Sequence, residues 1–299
     1  MVTDYRAFGM TVIGAYHIKS GTVCQDFSLS CELPDRRISV VCDGHGGADY
    51  FRSDRGSRFA AEAFTECMKN PDVISVLSAA ATQKQQSGRI EQLIKSIIAR
   101  WNELVERDIK EHSFGEDELS DVSEKARKRY ETGQRLQSAY GTTLIGVMLA
   151  ENFWLGLQIG DGKCVAVSKD GEFTQPIPWD EQCFLNVTTS ICDENAAKEF
   201  RFCFERTLPA AVFIGSDGID DCFAGDERLY DFYRLTLGSF AQTNVQTAVS
   251  QLKDYLPTLS EKGSGDDMSV GIIVNTDFAR QTPTVFEKSQ QASQDEVIP

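Results

Sequence analysis

The sequence has few histidines and lacks two well-known site signatures. It contains 3 His in 299 residues, and none of them belongs to an H-E-x-x-H motif, so we do not expect a histidine-rich zinc site. No G-x-x-x-x-G-K-[ST] segment occurs, which argues against a P-loop NTPase. The nine cysteines show no C-x-x-C spacing. We therefore expect reduced thiols rather than a disulfide framework or a cysteine-metal site.

Long hydrophobic runs are also missing. The longest, residues 144–150, ends at Glu151 and is far too short to span a bilayer. The N-terminus has no basic region followed by an apolar one, so we expect no secretory signal and a cytoplasmic protein. Positive charge is in deficit as well: 30 Lys and Arg against 45 Asp and Glu give a net charge of -15. This balance argues against a nucleic-acid or membrane partner, whereas local acidity suits hard cations.

The most informative stretch is residues 38–47, which read ISVVCDGHGG. Its apolar half predicts a buried strand that stops at Asp43. A carboxylate cannot be buried unpaired, so that of Asp43 must face water, a cation or a ligand at the strand end. The same placement recurs three times: Asp161 and Asp217 follow apolar runs, and Asp266 precedes one. Carboxylates that converge in this way repel each other and bind protons or a cation, and hard oxygen ligands favour Mg²⁺ or Mn²⁺.

Hydrophobic periodicity predicts strands separated by short turns, with helices in between. Short turns favour antiparallel sheets whose outer faces carry the helices. We expect strands at residues 10–16, 27–31, 38–42, 142–149, 153–159, 163–168, 211–215 and 268–274, and helices at 58–68, 90–109 and 245–256. Residues 110–135 are highly charged and predict an exposed helix or a mobile insertion. The tail, residues 281–299, is rich in Gln, Ser and Glu and is predicted to be disordered.

Five short motifs follow each other along nearly the whole chain, from Gly14 to Val274. They are residues 43–47 (DGHGG), 140–143 (YGTT), 160–162 (GDG), 216–221 (SDGIDD) and 265–269 (GDDMS). In this order they resemble the motif set of the metal-dependent type-2C Ser/Thr protein phosphatases. The resemblance implies an α+β fold: a central antiparallel β-sandwich flanked by helices on both faces, in four αββα layers. Residues 1–280 would form one catalytic domain, with a variable flap at residues 173–204.

The resemblance also implies a binuclear Mn²⁺ or Mg²⁺ site and a role for each matching residue. Asp43 would bridge the two ions, the carbonyl of Gly44 would bind one, and Asp217 and Asp266 would bind the other. Asp161, with Asp217 and Asp221, matches the acids of a weaker third site. His45 matches the family's general acid, and Gln25 and Asp26 match the pair that supports the metal-bound waters, although Gln25 stands where many members have Glu.

The implied activity is hydrolysis of phosphoserine and phosphothreonine in proteins, by a water activated between two ions and without a phosphoenzyme. A phosphorylated protein substrate and a cognate Ser/Thr kinase are the implied partners. One departure is the lack of an Arg before residue 25, where the family binds phosphate; Lys19 or His17 is the candidate replacement, without the bidentate fork of Arg. This leaves two alternatives open: a pseudophosphatase that acts as a binding or regulatory module, and a phosphatase for small phosphate esters.

Overall fold

A computed structural model describes residues 2–183 and 187–282. Most of the predicted tail, and residues 184–186 of the expected flap, lie outside the described residues. The strands, in chain order, are β1 (Tyr5–Val12), β2 (Phe27–Leu33), β3 (Arg36–Cys42), β4 (Leu144–Ala150), β5 (Trp154–Ile159), β6 (Lys163–Val167), β7 (Phe173–Thr174), β8 (Arg201–Glu205), β9 (Ala211–Gly215) and β10 (Met268–Asn275). They form two five-stranded sheets, ordered β1-β10-β9-β6-β7 and β2-β3-β4-β5-β8. Every strand pair in both sheets is antiparallel.

The two sheets pack face to face, and β4 illustrates why this sequence forms a sandwich. All seven of its residues are buried. Because side chains alternate across a strand, Ile145, Val147 and Leu149 enter the core between the sheets. Leu144 and Met148 point the other way, into a second core under the helices. A strand covered on both faces reads as a continuous apolar run, which is how residues 144–150 appear in the sequence.

Helices cover both outer faces and complete four layers. They are α1 (Ala15–Ser20), α2 (Ser53–Lys69), α3 (Asp72–Ser78), α4 (Gln83–Glu111), α5 (Glu116–Leu119), α6 (Glu124–Glu131), α7 (Ala196–Glu199), α8 (Asp217–Asp220), α9 (Asp226–Gln242) and α10 (Val245–Lys262). Apolar side chains of α2 to α7 join the core of the β3-β4-β5 sheet. Those of α8, α9 and α10 join the core of the β6-β9-β10 sheet. The predicted α+β sandwich with helices on both faces is confirmed.

The first predicted strand is wrong in its second half. Residues 10–16 were expected to be extended, but β1 ends at Val12 and α1 begins at Ala15. The turn is forced at Gly14, where a Cβ atom would lie 2.3 Å from the backbone carbon of Asp266. The N–H of Gly14 also donates to Oδ1 of Asp267, at 2.6 Å. Contacts with residues 250 positions away therefore bend the chain, and local periodicity cannot predict them.

Several elements were missed, among them α3, α9 and β8. Helix α9 buries Leu229, Tyr233, Leu237 and Phe240, which have helical spacing. Strand β8 overlaps the end of the expected flap and pairs with β5. It extends the sheet rather than forming a loop.

The charged residues 110–135 also differ from expectation. They hold the end of α4 and the short helices α5 and α6, and they bury Leu119, Ala126 and Tyr130. Most of the segment is exposed and helical, as the expectation of an exposed helix requires, but these buried side chains attach α5 and α6 to the core. Its sparse apolar residues are spaced so that each one reaches the core beneath α2.

Candidate active site

The acids predicted from the motifs gather at one end of the sandwich. Asp43 follows β3, Asp161 follows β5, and Asp217 follows β9, while Asp266 precedes β10. The antiparallel register brings these strand ends together: Leu144 pairs with Ile159 in one sheet, and Lys163 pairs with Gly215 in the other. All four acids line one cavity of about 560 Å³. The strand-end placement seen in the sequence thus corresponds to a single acidic site.

The backbone of Asp43 is fixed by the threonines of the 140–143 motif. The N–H of Thr143 and the hydroxyl of Thr142 both donate to the carbonyl of Asp43, at 2.8 and 2.7 Å. The N–H of Asp43 donates in turn to Oγ1 of Thr143, at 3.1 Å. With its main chain held in this way, Asp43 presents its carboxyl group to the cavity.

Asp43 and Asp217 form the electrostatic centre of the site. Burial raises the pKa of Asp43 well above its ordinary value, and nearby Asp26, Asp217 and Asp266 raise it further. Burial also raises the pKa of Asp217 to about 6. Each carboxyl group shifts the pKa of the other, so the two side chains lie close together. Oδ1 of Asp217 is buried without a hydrogen-bond partner. An unpartnered carboxylate oxygen in an acidic cavity is the arrangement that a cation relieves.

Gln25 and Asp26 lie directly behind this pair. Asp26 is buried, with a pKa raised well above its ordinary value by burial, and Oγ of Ser216 donates to its Oδ2 at 2.8 Å. The amide of Gln25 donates to the carbonyl of His45 at 3.2 Å and to Oγ of Ser53 at 2.8 Å. Gln25 therefore supports the DGHGG loop rather than adding another negative charge, which Glu would do at this position.

Asp267 is a site residue that the motif analysis did not assign. It is 2% exposed, and it lines the cavity next to Asp266. Its Oδ1 accepts from the N–H of Gly14 and its Oδ2 from the N–H of Gln25, both at 2.6 Å. Nδ1 of His17 lies 2.9 Å from the same Oδ2. Through these hydrogen bonds, Asp267 connects the starts of α1, β2 and β10. The signal for it in the sequence was the pair of acids that precedes a buried strand.

His45 lies on the wall of the cavity against an aromatic ring. The centroids of the His45 and Tyr50 rings are 4.9 Å apart in an edge-on arrangement. Gly141 makes room for both, since a Cβ atom there would lie 2.6 Å from Cδ2 of His45 and 2.7 Å from Cδ1 of Tyr50. Burial lowers the pKa of His45 to about 4. The imidazole is therefore neutral at pH 7 unless a nearby anion stabilises its protonated form.

The two candidate phosphate ligands of α1 have different surroundings. His17 lines the cavity, whereas Lys19 lies outside the set of residues that line it. Nζ of Lys19 instead lies 5.8 Å from the centre of the Tyr16 ring. Of the two, the structure brings His17 to the acids.

The acids that the resemblance assigns to a third metal site also differ in whether they line the cavity. Asp161 lines the cavity, and burial raises its pKa. Asp221 is exposed and lies outside the set of lining residues. Its neighbour Asp220 points inward, where burial raises its pKa to about 8 and Nζ of Lys163 lies 3.4 Å away.

The donor set suits a hard divalent cation. It consists of carboxylates and open backbone near a glycine-rich turn, and oxygen ligands of this kind are those that Mg²⁺ and Mn²⁺ prefer. Oδ1 of Asp217 adds a potential metal ligand, since no group of the protein donates a hydrogen bond to it. Within residues 2–183 and 187–282, no group of three or more His, Cys, Asp or Glu side chains is close enough together to hold an ion as it stands. The carboxylates would therefore have to draw together around an ion.

The chain folds into two helix-flanked β-sheets with an acidic cavity at one end. Comparison with known proteins identifies its family. The sequence model of "Protein phosphatase 2C" matches residues 13–257. The chain therefore belongs to the protein phosphatase 2C family, as the motifs predicted, and it is an enzyme of the protein serine/threonine phosphatase class with phosphoproteins as substrates. Among curated proteins, no significant sequence match is found.

Solved structures support the same fold. A bacterial serine phosphatase is 14% identical with a TM-score of 0.59, and the match covers 90% of this chain and 97% of that one. Stp1 of Staphylococcus aureus, a serine/threonine phosphatase, is 13% identical with a TM-score of 0.57, covering 90% and 94%. PppA of Pseudomonas aeruginosa, described as a regulatory component of T6SS, is 16% identical with a TM-score of 0.54, covering 90% and 97%. At these identities the likeness establishes the fold alone.

Two further findings concern the earlier expectations on membranes and cysteines. Among the residues described, no helix is both long enough and apolar enough to cross a membrane. All nine cysteines are free thiols. Cys42 and Cys164 are fully buried in the strands where the apolar runs placed them, and burial raises the pKa of both thiols well above the ordinary value.

Proposed function

We propose that this chain hydrolyses phosphoserine and phosphothreonine in proteins with the help of two Mn²⁺ or Mg²⁺ ions. Asp43 would bridge the ions, the carbonyl of Gly44 would bind one of them, and Asp217 and Asp266 would bind the other. The observation that carries this proposal is the unpartnered Oδ1 of Asp217 in a cavity that Asp43, Asp161 and Asp266 also line. When bound, such ions supply an activated water and neutralise charge on the phosphoryl oxygens.

The charge of the cavity itself favours metal dependence. A phosphomonoester is a dianion near pH 7, and it needs positive partners in order to bind and react. Among the described residues that line the cavity, His17 and His45 are the only side chains able to carry positive charge. The same cavity contains five aspartates: Asp43, Asp161, Asp217, Asp266 and Asp267. A phosphate group would be repelled there unless cations offset these carboxylates.

The other residues of the site have supporting roles in this proposal. His45 would protonate the leaving seryl or threonyl oxygen, because it lies on the cavity wall and the phosphate dianion would raise its lowered pKa. His17 would contact the phosphate in place of the missing Arg, with its Nδ1 lying 2.9 Å from Oδ2 of Asp267. Gln25 and Asp26 would support the waters. Asp161 and Asp217, with Asp221 at the exposed edge, would form the third and weaker metal site.

The proposal extends to the cellular setting. A cognate Ser/Thr kinase would supply the phosphoprotein, since a phosphatase of this class consumes the product of such a kinase. A cytoplasmic location fits the nine free thiols. A pure binding module has no evident use for mutually repelling buried carboxylates, and this favours the enzyme over the pseudophosphatase.

The test is phosphate release from a phosphothreonine peptide by the purified full chain, in EDTA and after addition of Mg²⁺ or Mn²⁺. We expect turnover only with added metal. Equal rates in EDTA would overturn the metal-dependent mechanism. If no turnover occurs although calorimetry detects bound metal, the pseudophosphatase alternative is favoured. Turnover of small esters without turnover of any phosphopeptide would favour the small-ester alternative.

A further inference from the structure

We propose that a second cavity, outside the proposed active site, binds a small anion that carries a flat ring, such as a nucleotide. This cavity, here called the α4–β8 cavity, has a volume of about 480 Å³, which is typical of small-molecule sites. Its lining includes Gln86 and Ser87 of α4, and Phe202, Phe204 and Arg206 in or just after β8. Among the described residues, none lines both this cavity and the acidic one. The inference therefore concerns a separate site and does not rest on the proposed function.

Gln86 is a buried polar residue whose amide nitrogen has no partner. The other buried residues of α4 are all apolar, and Ile90, Ile94 and Ile97 continue the stripe that Gln86 begins. Gln86 is 8% exposed, and its Nε2 is buried without a hydrogen-bond partner in the described chain. An unpaired buried amide costs free energy, which a ligand with a hydrogen-bond acceptor would recover. Because Gln86 lines the α4–β8 cavity, its amide is placed to donate to a molecule bound there.

The charge of the α4–β8 cavity favours an anion. The chain contains 45 Asp and Glu and has a net charge of -15. Among the described residues that line this cavity, however, none is acidic, and Arg206 is the only charged one. Across residues 2–183 and 187–282, no carboxylate forms an ion pair with Arg206. A negatively charged ligand would supply the partner that its guanidinium lacks.

The start of α4 contributes a potential of the same sign. The helix runs for 29 residues from Gln83, so the N–H groups of its first turn carry the positive end of the helix dipole. Thr82 is the N-cap, and its hydroxyl accepts from the N–H of Gln85 at 3.2 Å. Thr82 and Gln83 both line the α4–β8 cavity. Helix N-termini bind phosphate and carboxylate groups, and here the unpaired amide of Gln86 lies one turn further along the same helix.

Phe202 and Phe204 give the cavity an aromatic surface. They lie two residues apart on β8, so both side chains are on the face of the sheet that the helices cover. Both are only partly buried. The Phe204 ring stacks on Phe153, with 4.9 Å between the ring centres, and Cζ of Arg206 lies 5.8 Å from the centre of the Phe204 ring. A flat ring in the cavity would therefore find aromatic side chains to stack on, next to a positive charge.

These features together define the ligand. Gln86, Arg206 and the start of α4 suit a phosphate or carboxylate group, whereas the two phenylalanines suit an attached ring. An inorganic anion alone would leave the aromatic surface uncovered. A neutral ring would leave Arg206 without a partner. Nucleotides combine an anionic group with a ring, and so do aromatic carboxylates, so the experiment includes one of each.

The full chain is titrated with AMP, benzoate, adenosine and inorganic phosphate, and binding is followed by calorimetry. EDTA is present throughout, so that no metal ion draws phosphate into the acidic cavity. The variants are Arg206→Gln and Gln86→Leu. The matched control is Arg228→Gln, which removes the same charge from a side chain that is 74% exposed on α9.

We expect AMP to bind more tightly than adenosine or inorganic phosphate. Its Kd should rise about ten-fold in Arg206→Gln and in Gln86→Leu, as expected for the loss of one hydrogen bond to a charged group, and stay unchanged in Arg228→Gln. Gln86→Leu should also raise the unfolding temperature of the free protein, because an apolar side chain replaces an unpaired amide. If benzoate rather than AMP shows this dependence on the two variants, the anionic group is a carboxylate and the site stands.

Four results would overturn the inference. The first is no saturable binding of AMP or benzoate up to about 10 mM. The second is an unchanged Kd in both Arg206→Gln and Gln86→Leu. The third is adenosine that binds as tightly as AMP, since the anionic group would then contribute nothing. The fourth is inorganic phosphate that binds as tightly as AMP, since the ring would then contribute nothing.

Discussion

Ser123 donates both its N–H and its hydroxyl to the carboxylate of Asp49, each at 2.8 Å and across 74 residues of sequence. The hydroxyl of Tyr130 donates to the carbonyl of the same Asp49, at 2.7 Å. The next residue along the chain, Tyr50, packs edge-on against His45. The charged segment between α4 and β4 therefore holds the loop that forms the His45 wall of the cavity.

Replacing Ser123 by Ala tests this connection. The variant loses the hydroxyl bond to Asp49 and the N-cap of α6, where Oγ accepts from the N–H of Ala126, so the free energy of unfolding should fall by about 1 kcal/mol. Turnover of a phosphoserine peptide should fall more than turnover of an aryl phosphate, because His45 is less well positioned. Ser120→Ala is the control, since Oγ of Ser120 bonds only locally, to the carbonyl of Asp117. Equal effects of the two variants would contradict the account.

His45→Ala should separate substrates by their leaving group. Serine is a poor leaving group and needs a proton, whereas an aryl oxide leaves readily without one. We expect kcat for a phosphoserine peptide to fall about 100-fold or more, with a much smaller loss on p-nitrophenyl phosphate. His112→Ala is the control, because His112 is exposed and lies far along the chain in the charged segment. Equal losses on both substrates would remove the general-acid role.

Asp217→Asn should affect stability and activity in opposite directions. Removing one of several buried, repelling carboxylates should raise the unfolding temperature in EDTA by about 2–4 °C. The variant should also lose turnover and lose the stabilisation that added Mn²⁺ gives the wild type. Asp254→Asn removes the same charge from an exposed position on α10 and serves as the control. A lower unfolding temperature in EDTA would contradict the repulsion argument.

Glu118→Gln tests the ion pair that anchors α5. Both carboxylate oxygens of Glu118 accept from the guanidinium of buried Arg52, at 2.7 and 2.8 Å. These hydrogen bonds lower the pKa of Glu118 below its ordinary 4.5. Because the pKa is lower in the folded state, the pair stabilises fully above about pH 4.5 and is lost as the pH falls through the lowered pKa.

The difference in unfolding free energy between wild type and Glu118→Gln should therefore be constant from pH 8 to pH 5 and shrink below that range, as measured by urea denaturation. The control Glu116→Gln should show almost no difference at any pH. Glu116 is 88% exposed and pairs with Arg127 at 3.2 Å, and exposed pairs contribute little. A difference that grows on acidification would contradict the assignment.

The sequence predicted the parts of the molecule that depend on local pattern. Buried strands such as β4 read as apolar runs, and the acids at their ends met in one cavity because antiparallel pairing brings those ends together. The family was identified for the same reason, since its motifs are short and ordered.

The parts that could not be predicted depend on contacts between distant segments. Helix α1 starts where it does because Gly14 meets Asp266 and Asp267, and Asp49 meets Ser123 only in the folded chain. The role of Asp267, which accepts two main-chain N–H groups, cannot be distinguished in sequence from that of Asp266. Helix α9 is different: Leu229, Tyr233 and Leu237 carry the helical spacing, so the signal was present.

The central claim is that the aspartates of the cavity form a metal centre that performs the hydrolysis. The most direct test is a calorimetric titration of Mn²⁺ into the chelator-treated full chain, with phosphate release from a phosphothreonine peptide measured on the same samples. The account predicts about two ions bound per chain, activity that rises with their occupancy, and loss of both binding and activity in Asp217→Asn. Undiminished activity at less than one bound ion per chain, or full metal binding and activity in Asp217→Asn, would contradict it.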